Sequence, residues 1–384
     1  MTRLAIVVTV PQCLRFFDGQ IEYLVEHGFD VAIYTSSNEY LHFYRDKYPD
    51  IKFFIIPFKR EISLFYDIKS LILLVRVFRR EKPHIVHVHT PKASLLGNIA
   101  GRICNIPRLI YTIHGLVSLK NGQFKFGLVY LMEKLTSRLA RQVISVSPSL
   151  ARVAKEQAFV GSSEAITVFG AGTINGIDSI GKFNPENYNK KDTIKELGLS
   201  SFLTELDDLM VYGFVGRICI DKGIFDLISV WKEITDTGSH FRLLIAGAME
   251  LSPNELLAFQ EFLNEYSDNV CYIGEVDNTA HVFSLIDCLI FPSIREGFGL
   301  AIAEAASMSV PSVVYDIPGV SDAVCDGVTG YRVECGSLIE LKNKALKYQD
   351  SKLRKKHGGA ARSYIVTTYK QSLILSKLKD FYAS

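Results

Sequence analysis

The fold of this 384-residue chain is decided by residues 288–304, which read CLIFPSIREGFGLAIAE. The apolar run at 288–291 predicts a buried strand, and the alanine-rich run at 300–308 predicts a helix. The loop between these two runs contains glycines. A strand, a glycine-bearing loop and a helix, in this order, build a ligand site at the carboxyl edge of an α/β sheet. The stretch therefore predicts both an α/β fold and the position of its ligand.

The loop and the helix combine groups that suit an anion with groups that suit hydroxyls. Glycine lets the backbone come close to a ligand. The N–H groups at the start of the helix, near Gly299 and Leu300, favour an anion. The carboxylates of Glu296, on the loop, and Glu304, in the early helix, are suited to gripping hydroxyl groups. A nucleotide sugar carries both phosphate and hydroxyls and fits this combination.

The two glutamates, with Glu-Gly-Phe-Gly at the first, resemble the signature of glycosyltransferase family 4. This resemblance implies the GT-B fold, an α/β architecture of two facing Rossmann-like domains with a cleft between them and a C-terminal helix that crosses back to the first domain. It implies that Glu296 contacts the donor sugar and that Glu304 contacts the ribose hydroxyls. The other donor-binding positions that it implies in this stretch are Gly297, Phe298, Gly299 and Leu300.

A second element, GRICIDKG at residues 216–223, follows an apolar strand pattern at 209–215. A diphosphate leaving group needs cations, because negative charge builds on it as the glycosidic bond breaks. Arginine can grip two phosphate oxygens, and lysine adds a point charge. The element resembles the Gly-Arg…Lys-Gly pattern of the same family. Arg217 and Lys222 are therefore predicted to bind the donor diphosphate and to act in catalysis.

His114 follows a predicted strand at 109–113, which puts it at the edge where α/β sheets bind ligands. It resembles the active-site histidine of the family, which hydrogen-bonds the transferred sugar, and is predicted to be catalytic together with Glu296. His87 and His89 share one face of another strand, so a metal pair is conceivable. No third ligand lies nearby in the sequence, and the family needs no metal. We therefore expect neither a metal nor a cofactor, since the nucleotide sugar is a substrate.

The loop after the first strand departs from the commonest pattern of the family. Many members have Gly-Gly there, whereas this chain has PQCLRFF at residues 11–17. The chain is more similar to a bacterial subgroup that builds capsule and O-antigen repeat units. That subgroup shares Thr-Pro-Lys-Ala at 90–93, Ser-Pro-Ser at 147–149 and Asn-Gly-Ile-Asp at 175–178. The acceptor-side candidates in this half are Arg15, Phe16, His89 and Lys92.

Strand patterns alternate with helical patterns along the chain, which predicts parallel sheets covered by helices. The predicted strands are residues 4–10, 30–35, 51–58, 84–89, 109–113 and 143–146, then 209–215, 241–246, 270–273, 288–291 and 311–315. A glycine-rich break at 166–178 predicts an interdomain hinge. We therefore predict an acceptor-binding Rossmann-like domain at 1–178 and a donor-binding Rossmann-like domain at 179–362. The resemblance implies a terminal helix at 363–384 that packs on the first domain.

Charge and cysteine content narrow the environment of the protein. A net charge of +2 does not indicate nucleic-acid binding, but residues 1–180 carry 22 Lys and Arg against 14 Asp and Glu. This basic half suggests that the first domain faces something anionic. Seven scattered cysteines without a C-x-x-C pair indicate buried thiols in a reducing compartment. The first apolar run is too short for a signal peptide, and no run approaches transmembrane length. We expect a cytoplasmic protein at the inner face of the membrane.

Two basic and apolar segments of the first half predict contact with an anionic membrane surface. The first, at 118–141, combines Lys120, Lys125, Lys134, Arg138 and Arg141 with Phe124, Phe126, Leu128, Val129, Tyr130 and Leu131. The second combines Lys69, Arg76, Arg79 and Arg80 with Leu71, Leu74, Val75 and Phe78. A basic face beside exposed aromatics lets a protein rest on anionic headgroups. The alternative is that these helices simply turn their apolar residues toward the core.

Taken together, the resemblance implies a retaining, metal-independent hexosyltransferase. It would move a sugar from a nucleotide-diphosphate sugar, most simply a UDP-sugar, to a polyprenyl-diphosphate-linked saccharide during capsule or O-antigen assembly. No nucleophile is evident in the sequence, so we expect front-side attack guided by the leaving phosphate. One alternative is a nucleotide-sugar epimerase of similar architecture, which would act without an acceptor. A second alternative is a non-catalytic two-domain sugar-binding protein. A third is an inactive transferase fold, and the intact charged motifs argue against this third alternative.

Overall fold

The computed structural model describes residues 1–120, 123–124, 127–161, 165–203, 209–238 and 240–384. Two compact units divide the chain. The first comprises Met1–Leu119, Gln123–Gly176 and Ser372–Ser384, and the second consists mainly of Ile177–Gln371. Each unit contains its own parallel sheet flanked by helices, as the alternating patterns of the sequence predict.

The first unit is built on a sheet with the order β3-β2-β1-β4-β5-β8-β9. These strands are β1 (Thr2–Val7), β2 (Phe29–Thr35), β3 (Lys52–Ile55), β4 (Ile85–Val88), β5 (Arg108–Ile113), β8 (Gln142–Ser145) and β9 (Ile166–Thr167). Neighbouring strands pair in parallel throughout. A separate two-stranded sheet is formed by β6 (Leu119–Lys120) and β7 (Gln123–Phe124).

Helices connect these strands. They are the 3-10 helix Pro11–Phe17, α1 (Gln20–Glu26), α2 (Tyr40–Lys47), α3 (Leu64–Glu81), α4 (Pro91–Ile103), α5 (Leu128–Leu139) and α6 (Pro148–Glu156). Helix α4 packs between α3 and α5, so these three helices lie side by side. Two glycines bring α4 close to the sheet, because a Cβ at Gly97 would meet Val88 and a Cβ at Gly101 would meet Leu109.

The second unit is built on a sheet with the order β12-β11-β10-β13-β14-β15. Its strands are β10 (Met210–Val215), β11 (Phe241–Ala246), β12 (Val270–Tyr272), β13 (Cys288–Phe291), β14 (Ser312–Tyr315) and β15 (Gly330–Val333). Its helices are α7 (Lys190–Glu196), α8 (Ile224–Thr235), α9 (Pro253–Glu265), α10 (Thr279–Leu285), α11 (Leu300–Ser307), α12 (Val320–Ala323), α13 (Leu338–Leu346) and α14 (Ser351–Thr368), with 3-10 helices at Pro185–Asn187, Ile220–Lys222 and Lys347–Gln349. The described strands again pair in parallel.

Both sheets reverse their strand order at one point, between β1 and β4 in the first unit and between β10 and β13 in the second. Loops that leave the carboxyl ends of strands on the two sides of such a point diverge. They leave a crevice in which α/β proteins bind ligands. Residues that follow β1 and β4, and those that follow β10 and β13, therefore have the best positions for a ligand site.

The structure differs from the sequence prediction at short or weakly patterned elements. Residues 11–17, described above as a loop, form the 3-10 helix Pro11–Phe17, and α1 follows from Gln20. Ile166–Thr167, predicted to lie in the hinge, forms the edge strand β9. Gly330–Val333 forms β15, which was not predicted because four residues with a half-exposed centre give no clear alternation.

The two segments that connect the units pair with each other. The N–H of Ile177 donates to the carbonyl of Tyr369 at 2.7 Å, and the N–H of Gln371 donates to the carbonyl of Ile177 at 3.0 Å. The first unit thus gives way to the second after Gly176 and resumes at Ser372. The sequence prediction began the terminal segment at 363, within α14, because no glycine or proline separates α14 from the last helix.

The last helix, α15 (Gln371–Ala383), packs on the first unit. It buries Ile374, Leu375, Leu378 and Tyr382. Arg108, at the start of β5, donates to the carbonyls of Tyr382 and Phe381 at 2.7 and 2.6 Å. A cation at the carboxyl end of a helix satisfies carbonyls that lack partners within the helix and complements the helix dipole.

Replacing Arg108 with alanine should therefore loosen the terminal helix. We expect the free energy of unfolding to fall by about 1.5–3 kcal/mol, the range for hydrogen bonds to a charged group. Urea unfolding followed by circular dichroism measures the change. Lys377→Ala on the exposed face of the same helix is the control and should shift stability by less than about 0.5 kcal/mol. Equal effects of the two changes would contradict this account of the helix end.

Candidate active site

In the second unit, the loops that follow β10 and β13 are bonded to each other. The carbonyl of Asp221 accepts hydrogen bonds from the hydroxyl of Ser293 and the N–H of Ile294, each at 3.0 Å. Gly223 permits this approach, because its φ is +73° and a Cβ there would lie 1.9 Å from the carbonyl oxygen of Pro292. The two loops named by the sequence motifs therefore form one structure at the point where the strand order reverses.

An ion pair between Lys222 and Glu296 joins the same two loops. The ammonium of Lys222 donates to Oε1 of Glu296, and only 16% and 9% of the two side chains is exposed. The Lys222 ammonium also lies 5.5 Å from the centre of the Phe291 ring. The structure thus brings together a cation and a carboxylate that lie 74 residues apart in the sequence.

The other cations of these loops are also paired. The guanidinium of Arg217 donates to Glu250, and that of Arg295 donates to Asp221. Partial burial lowers the pKa of Arg217, but Cys219, Glu250 and Glu296 raise it overall. Arg217 therefore lies close enough to Glu296 to feel its charge. Each of the three cations, Lys222, Arg217 and Arg295, is thus held by a carboxylate.

Helix α11 begins at this cluster. Gly299 precedes it with a φ of +73°, which a residue with a side chain rarely adopts, and Leu300 is its first residue. A Cβ at Gly319, in the loop after β14, would lie 2.7 Å from the carbonyl oxygen of Gly297. Backbone therefore crowds this corner, and the N-terminal N–H groups of α11 lie beside the Glu296 loop, where they favour an anion.

Glu304 has a different neighbour from Glu296. Its carboxylate accepts a hydrogen bond from the hydroxyl of Thr279, at 3.2 Å, and Thr279 is the first residue of α10. Glu296 instead lies against the 3-10 helix Ile220–Lys222. The two glutamates of the motif are therefore held by different elements, which suits contacts to different parts of one ligand.

In the first unit, His114 and His89 meet at the carboxyl ends of β5 and β4. These strands are parallel neighbours, so the residues that follow them emerge at the same edge. Nδ1 of His89 lies 2.9 Å from Nε2 of His114. His89 is 1% exposed, whereas His114 is half-buried. The sequence assigned the two histidines to sugar and acceptor separately, and the structure joins them in one hydrogen-bonded pair.

His87 lies behind this pair and has both ring nitrogens occupied. Its Nδ1 is 2.5 Å from the hydroxyl of Tyr382, and its Nε2 is 2.6 Å from the hydroxyl of Thr112. Its ring centre lies 4.0 Å from that of His89. His87 therefore connects the terminal helix to the sheet. In the described part of the chain, no three His, Cys, Asp or Glu side chains come together in a way that could hold a metal ion.

The 3-10 helix Pro11–Phe17 replaces the Gly-Gly loop of the commonest family pattern. It brings Phe16 against His114, with ring centres 6.0 Å apart and planes 26° apart. It also brings Phe17 against His89, with ring centres 4.7 Å apart and nearly perpendicular planes. Arg15 is exposed, and its guanidinium lies 5.4 Å from the Phe16 ring centre. The first loop thus contributes aromatic walls around the histidine pair.

Lys92, the last acceptor-side candidate, is engaged within the first unit. Its ammonium lies 2.8 Å from Asp67 of α3 and donates to the carbonyl of Glu61. The residue before α4, Thr90, has a φ of +68°, and its hydroxyl lies 2.7 Å from that of Thr9. Lys92 therefore fixes the start of α4 to α3 in this structure.

The sequence analysis missed residues that hold the site in place through contacts made only in the folded chain. Buried Glu133 of α5 accepts hydrogen bonds from the N–H of Val117, at 2.6 Å, and from the hydroxyl of Ser118, at 2.5 Å, so it holds the loop that follows His114. Glu250 and Thr279 were also missed. Glu133 is the lone acidic residue of its helix, and this feature could have marked it as a residue with a special role. The sequence offers no comparable signal for Glu250 or Thr279.

The outer face of α3 and α5 is apolar and basic. Leu64 and Phe65 are 78% and 72% exposed, and Leu128 and Leu131 are 63% and 61% exposed. The further exposed members of this face are Ile68, Ile72, Val129 and Leu135, with Lys69, Arg76, Arg79, Arg80 and Arg138. Among the described residues, none of the helices combines the length and apolar character needed to cross a bilayer.

The composition of this face partly corrects the sequence prediction. Leu74 and Phe78 are fully buried and Tyr130 is nearly so, because they face the core beneath the helices. Phe126 and Lys125, with the side chains of Lys120 and Phe124, lie outside the described part of the chain. The apolar residues that do reach the surface are mainly those of the first turns of α3 and α5.

Comparisons with known proteins agree with this architecture. Residues 15–169 match the family described as Glycosyltransferase Family 4, and residues 202–364 match the family described as Glycosyl transferases group 1. A capsular polysaccharide biosynthesis glycosyltransferase of Staphylococcus aureus is 34% identical over 98% of this chain and 95% of its own length.

Two more distant proteins add to this comparison. A UDP-Gal:alpha-D-GlcNAc-diphosphoundecaprenol alpha-1,3-galactosyltransferase of Escherichia coli is 26% identical over 94% of this chain and 91% of its own length. The Anabaena protein HepE, solved in complex with UDP and glucose, aligns over 100% of both chains with a TM-score of 0.79 at 16% identity. The last likeness concerns the fold, which is the predicted GT-B architecture.

The buried histidines predict acid destabilisation of the first unit. Burial lowers the pKa of His114 from 6.5 to about 4, and burial with neighbouring imidazoles lowers the pKa of His87 and His89 well below 6.5. Below about pH 6.5 the unfolded chain therefore binds protons that the folded unit does not. The free energy of unfolding should be fully present above that pH and should fall as the pH drops toward about 4.

Urea unfolding measured across this range tests the point. His114→Gln removes one of these groups and should flatten the pH dependence, whereas His42→Gln, at an exposed position of α2, is the matched control. An unchanged pH dependence in the His114 variant would show that this imidazole is not kept neutral by folding.

Proposed function

Because the chain belongs to glycosyltransferase family 4, whose group 1 domain matches its second half, we propose that it is a retaining hexosyltransferase. The donor is a UDP-sugar, and the acceptor is a polyprenyl-diphosphate-linked saccharide of a bacterial capsule or O-antigen. The observation that carries the proposal is the part-buried Lys222–Glu296 pair beside the start of α11. It combines cationic charge, a carboxylate and helix N–H groups in one corner, as a nucleotide sugar requires.

The donor diphosphate binds to the positive groups of this corner. Lys222 and Arg217 follow β10, and the first N–H groups of α11 lie beside the Glu296 loop. The lysine has three donors, so it can hold Glu296 and a phosphate oxygen at once. Glu304, whose carboxylate is held by Thr279, binds the ribose hydroxyls. Gly297, Phe298 and Gly299 supply the close backbone.

The transfer proceeds on one face of the sugar. The bond between the anomeric carbon and the diphosphate breaks, and the leaving diphosphate takes its electron pair. The acceptor hydroxyl bonds to the same face of that carbon, and its proton passes to a leaving phosphate oxygen. Lys222 and Arg217 stabilise the charge that builds on the diphosphate. Glu296 is tied to Lys222, which suits it to orient sugar hydroxyls rather than to attack carbon.

The first unit provides a neutral imidazole for the sugar. Burial lowers the pKa of His114 to about 4, so near neutral pH its ring offers hydrogen bonds without charge. A neutral partner orients a hydroxyl without competing with the diphosphate for the cations. Arg15 and Phe16, on the adjoining 3-10 helix, remain candidates for the acceptor.

The choice of donor and acceptor follows the relatives. The Escherichia coli relative is named for UDP-galactose and for an undecaprenol-diphosphate acceptor, and the Staphylococcus aureus relative is named for capsular polysaccharide biosynthesis. The lipid of such an acceptor lies in the cytoplasmic membrane. The apolar and basic face of α3 and α5 is proposed to rest on the anionic inner surface of that membrane.

The diphosphate assignment predicts a large loss of turnover in Lys222→Ala. Removing one transition-state electrostatic partner costs about a hundredfold or more, and Arg217→Ala should behave alike. Turnover is followed as UDP release from UDP-galactose with the polyprenyl-linked acceptor. Lys232→Ala, which removes an exposed surface pair with Glu265, is the control and should retain activity.

Removal of Lys222 alone also leaves a buried carboxylate unpaired, which destabilises a fold. The double variant Lys222→Met with Glu296→Gln avoids that charge, and its melting temperature shows whether the unit is folded. A folded variant without Lys222 that turns over near the normal rate would remove the diphosphate assignment.

The metal-independent mechanism predicts that turnover survives EDTA. Lys222, Arg217 and the α11 N-terminus supply the positive charge that a divalent ion supplies elsewhere. The rate is measured before and after chelation and again with added Mg²⁺ or Mn²⁺. Loss on chelation with recovery on metal addition would contradict this part of the proposal.

The membrane assignment predicts salt-sensitive binding to anionic vesicles. Each cation near such a surface contributes about 1 kcal/mol. The protein should sediment with vesicles of phosphatidylglycerol and phosphatidylcholine at low salt, and much less at high salt or with phosphatidylcholine alone. The triple change of Lys69, Arg76 and Arg79 to Glu on α3 should release it.

The matched control is the change of Lys352, Lys355 and Lys356 to Glu. These three lysines are exposed on α14 in the second unit. This control should still sediment, and both variants should still bind UDP. Equal release of the two triple variants, or equal recovery on neutral and anionic vesicles, would refute the assignment of the α3 and α5 face.

A further inference from the structure

We propose that His89 is a positioning residue that fixes the ring and the tautomer of His114, so that His114 presents an N–H donor from Nδ1 to the transferred sugar. This inference rests on the proposed role of His114 toward that sugar. It is carried by the hydrogen bond between Nδ1 of His89 and Nε2 of His114, at 2.9 Å, inside the first unit.

The pair leaves His114 one free nitrogen. Nε2 of His114 is taken up by His89, and in the described part of the chain Nδ1 has no hydrogen-bond partner within the protein. The ring is half-buried, so part of it reaches solvent. Any bond from this imidazole to a sugar therefore uses Nδ1, and its character depends on whether Nδ1 carries the proton.

His89 is held so that it cannot turn away. Its ring centre lies 4.7 Å from that of Phe17, with the two planes nearly perpendicular, and 4.0 Å from that of His87. His87 is itself tied to Tyr382 and Thr112. A supporting residue locked by packing and hydrogen bonds keeps its partner within the narrow range of orientations that a catalytic contact needs.

The surroundings of His89 also decide the tautomer. Its Nε2 is buried and has no hydrogen-bond partner among the described residues. Buried N–H groups without an acceptor are rarer in proteins than buried acceptors without a donor. His89 therefore keeps Nε2 bare and carries its proton on Nδ1, which donates to Nε2 of His114. The proton of His114 must then lie on Nδ1.

This arrangement gives His114 a fixed chemical role. A neutral ring with its proton on Nδ1 donates to the oxygen of a sugar hydroxyl and does not draw a proton from it. Burial keeps both rings uncharged near neutral pH, so the pattern of donors does not change there. The sequence places only one of these two histidines in the family signature, and the second acts through the first.

The test exploits the shapes of asparagine and glutamine. The amide nitrogen of asparagine can occupy the position of Nδ1 of histidine, whereas that of glutamine reaches the position of Nε2. His89→Asn should keep kcat within about threefold of the native value, and His89→Gln should lower kcat about tenfold, the effect of one neutral hydrogen bond. The KM for UDP-galactose should change little in both.

Ring ¹⁵N shifts of the ligand-free protein provide a second readout that needs no substrate. They should show a protonated Nδ1 and a bare Nε2 in His114, retained in His89→Asn and lost as a fixed pattern in His89→Gln. A protonated Nε2 in His114, or equal kcat in the Asn and Gln variants, would overturn the inference. If His114→Ala left turnover intact while the shifts behaved as expected, the proposed role of His114 would fail and the positioning by His89 would stand.

Discussion

In the second unit, the arrangement of the two loops that carry the sequence motifs depends on the ion pair between Lys222 and Glu296. It lies where the strand order of the sheet reverses, and it ties the loop after β10 to the loop after β13. Taking two such charges out of water costs several kcal/mol each, and their attraction compensates only when the geometry is good. The surrounding bonds from Ser293 and Ile294 to Asp221, and the close approach at Gly223, supply that geometry. A cation held in this way would need little reorganisation to meet the phosphate of the proposed donor.

In the first unit, the groups at the carboxyl ends of the strands are imidazoles that carry no charge near neutral pH. Three imidazoles form one cluster, in which His87 and His89 are buried and His114 is half-buried, and removal from water lowers the pKa of all three. His87 connects to the terminal helix through Tyr382, and His89 connects to His114. The hydroxyl of Tyr382, which α15 buries, therefore has a partner, and the last helix of the chain is joined to the strand that precedes His89. The two units thus offer fixed charge and fixed neutral donors, respectively.

How much the sequence predicts depends on whether the signal is local. Phe241–Ala246 and Cys288–Phe291 were predicted with the observed bounds, because continuous apolar runs between turn residues leave little choice. The family could be predicted because Glu296, Gly297 and Lys222 belong to short motifs that can be seen in the chain itself. The comparisons confirm this family assignment.

Partners that the fold brings together were beyond the sequence. Nothing local connects His87 with Tyr382, which lies 295 residues away, or Lys92 with Asp67. His89 was interpreted as an acceptor contact because its strand position was evident while its partner was not. The membrane segments show the same limit, because helical spacing alone did not separate Leu74 and Phe78, which are buried, from Leu64 and Phe65, which are exposed.

Transfer of a sugar to a lipid-linked acceptor by this protein is tested most directly by one measurement. The protein is incubated with GlcNAc-diphosphoundecaprenol and, in turn, with UDP-galactose, UDP-glucose, UDP-N-acetylgalactosamine and UDP-N-acetylglucosamine, and the products are analysed by mass spectrometry and NMR. We predict that one sugar adds to the acceptor in the anomeric configuration of the donor, with one UDP released for each sugar and no reaction without acceptor. Conversion of a donor into another nucleotide sugar without acceptor, or inversion at the anomeric carbon, would contradict the account.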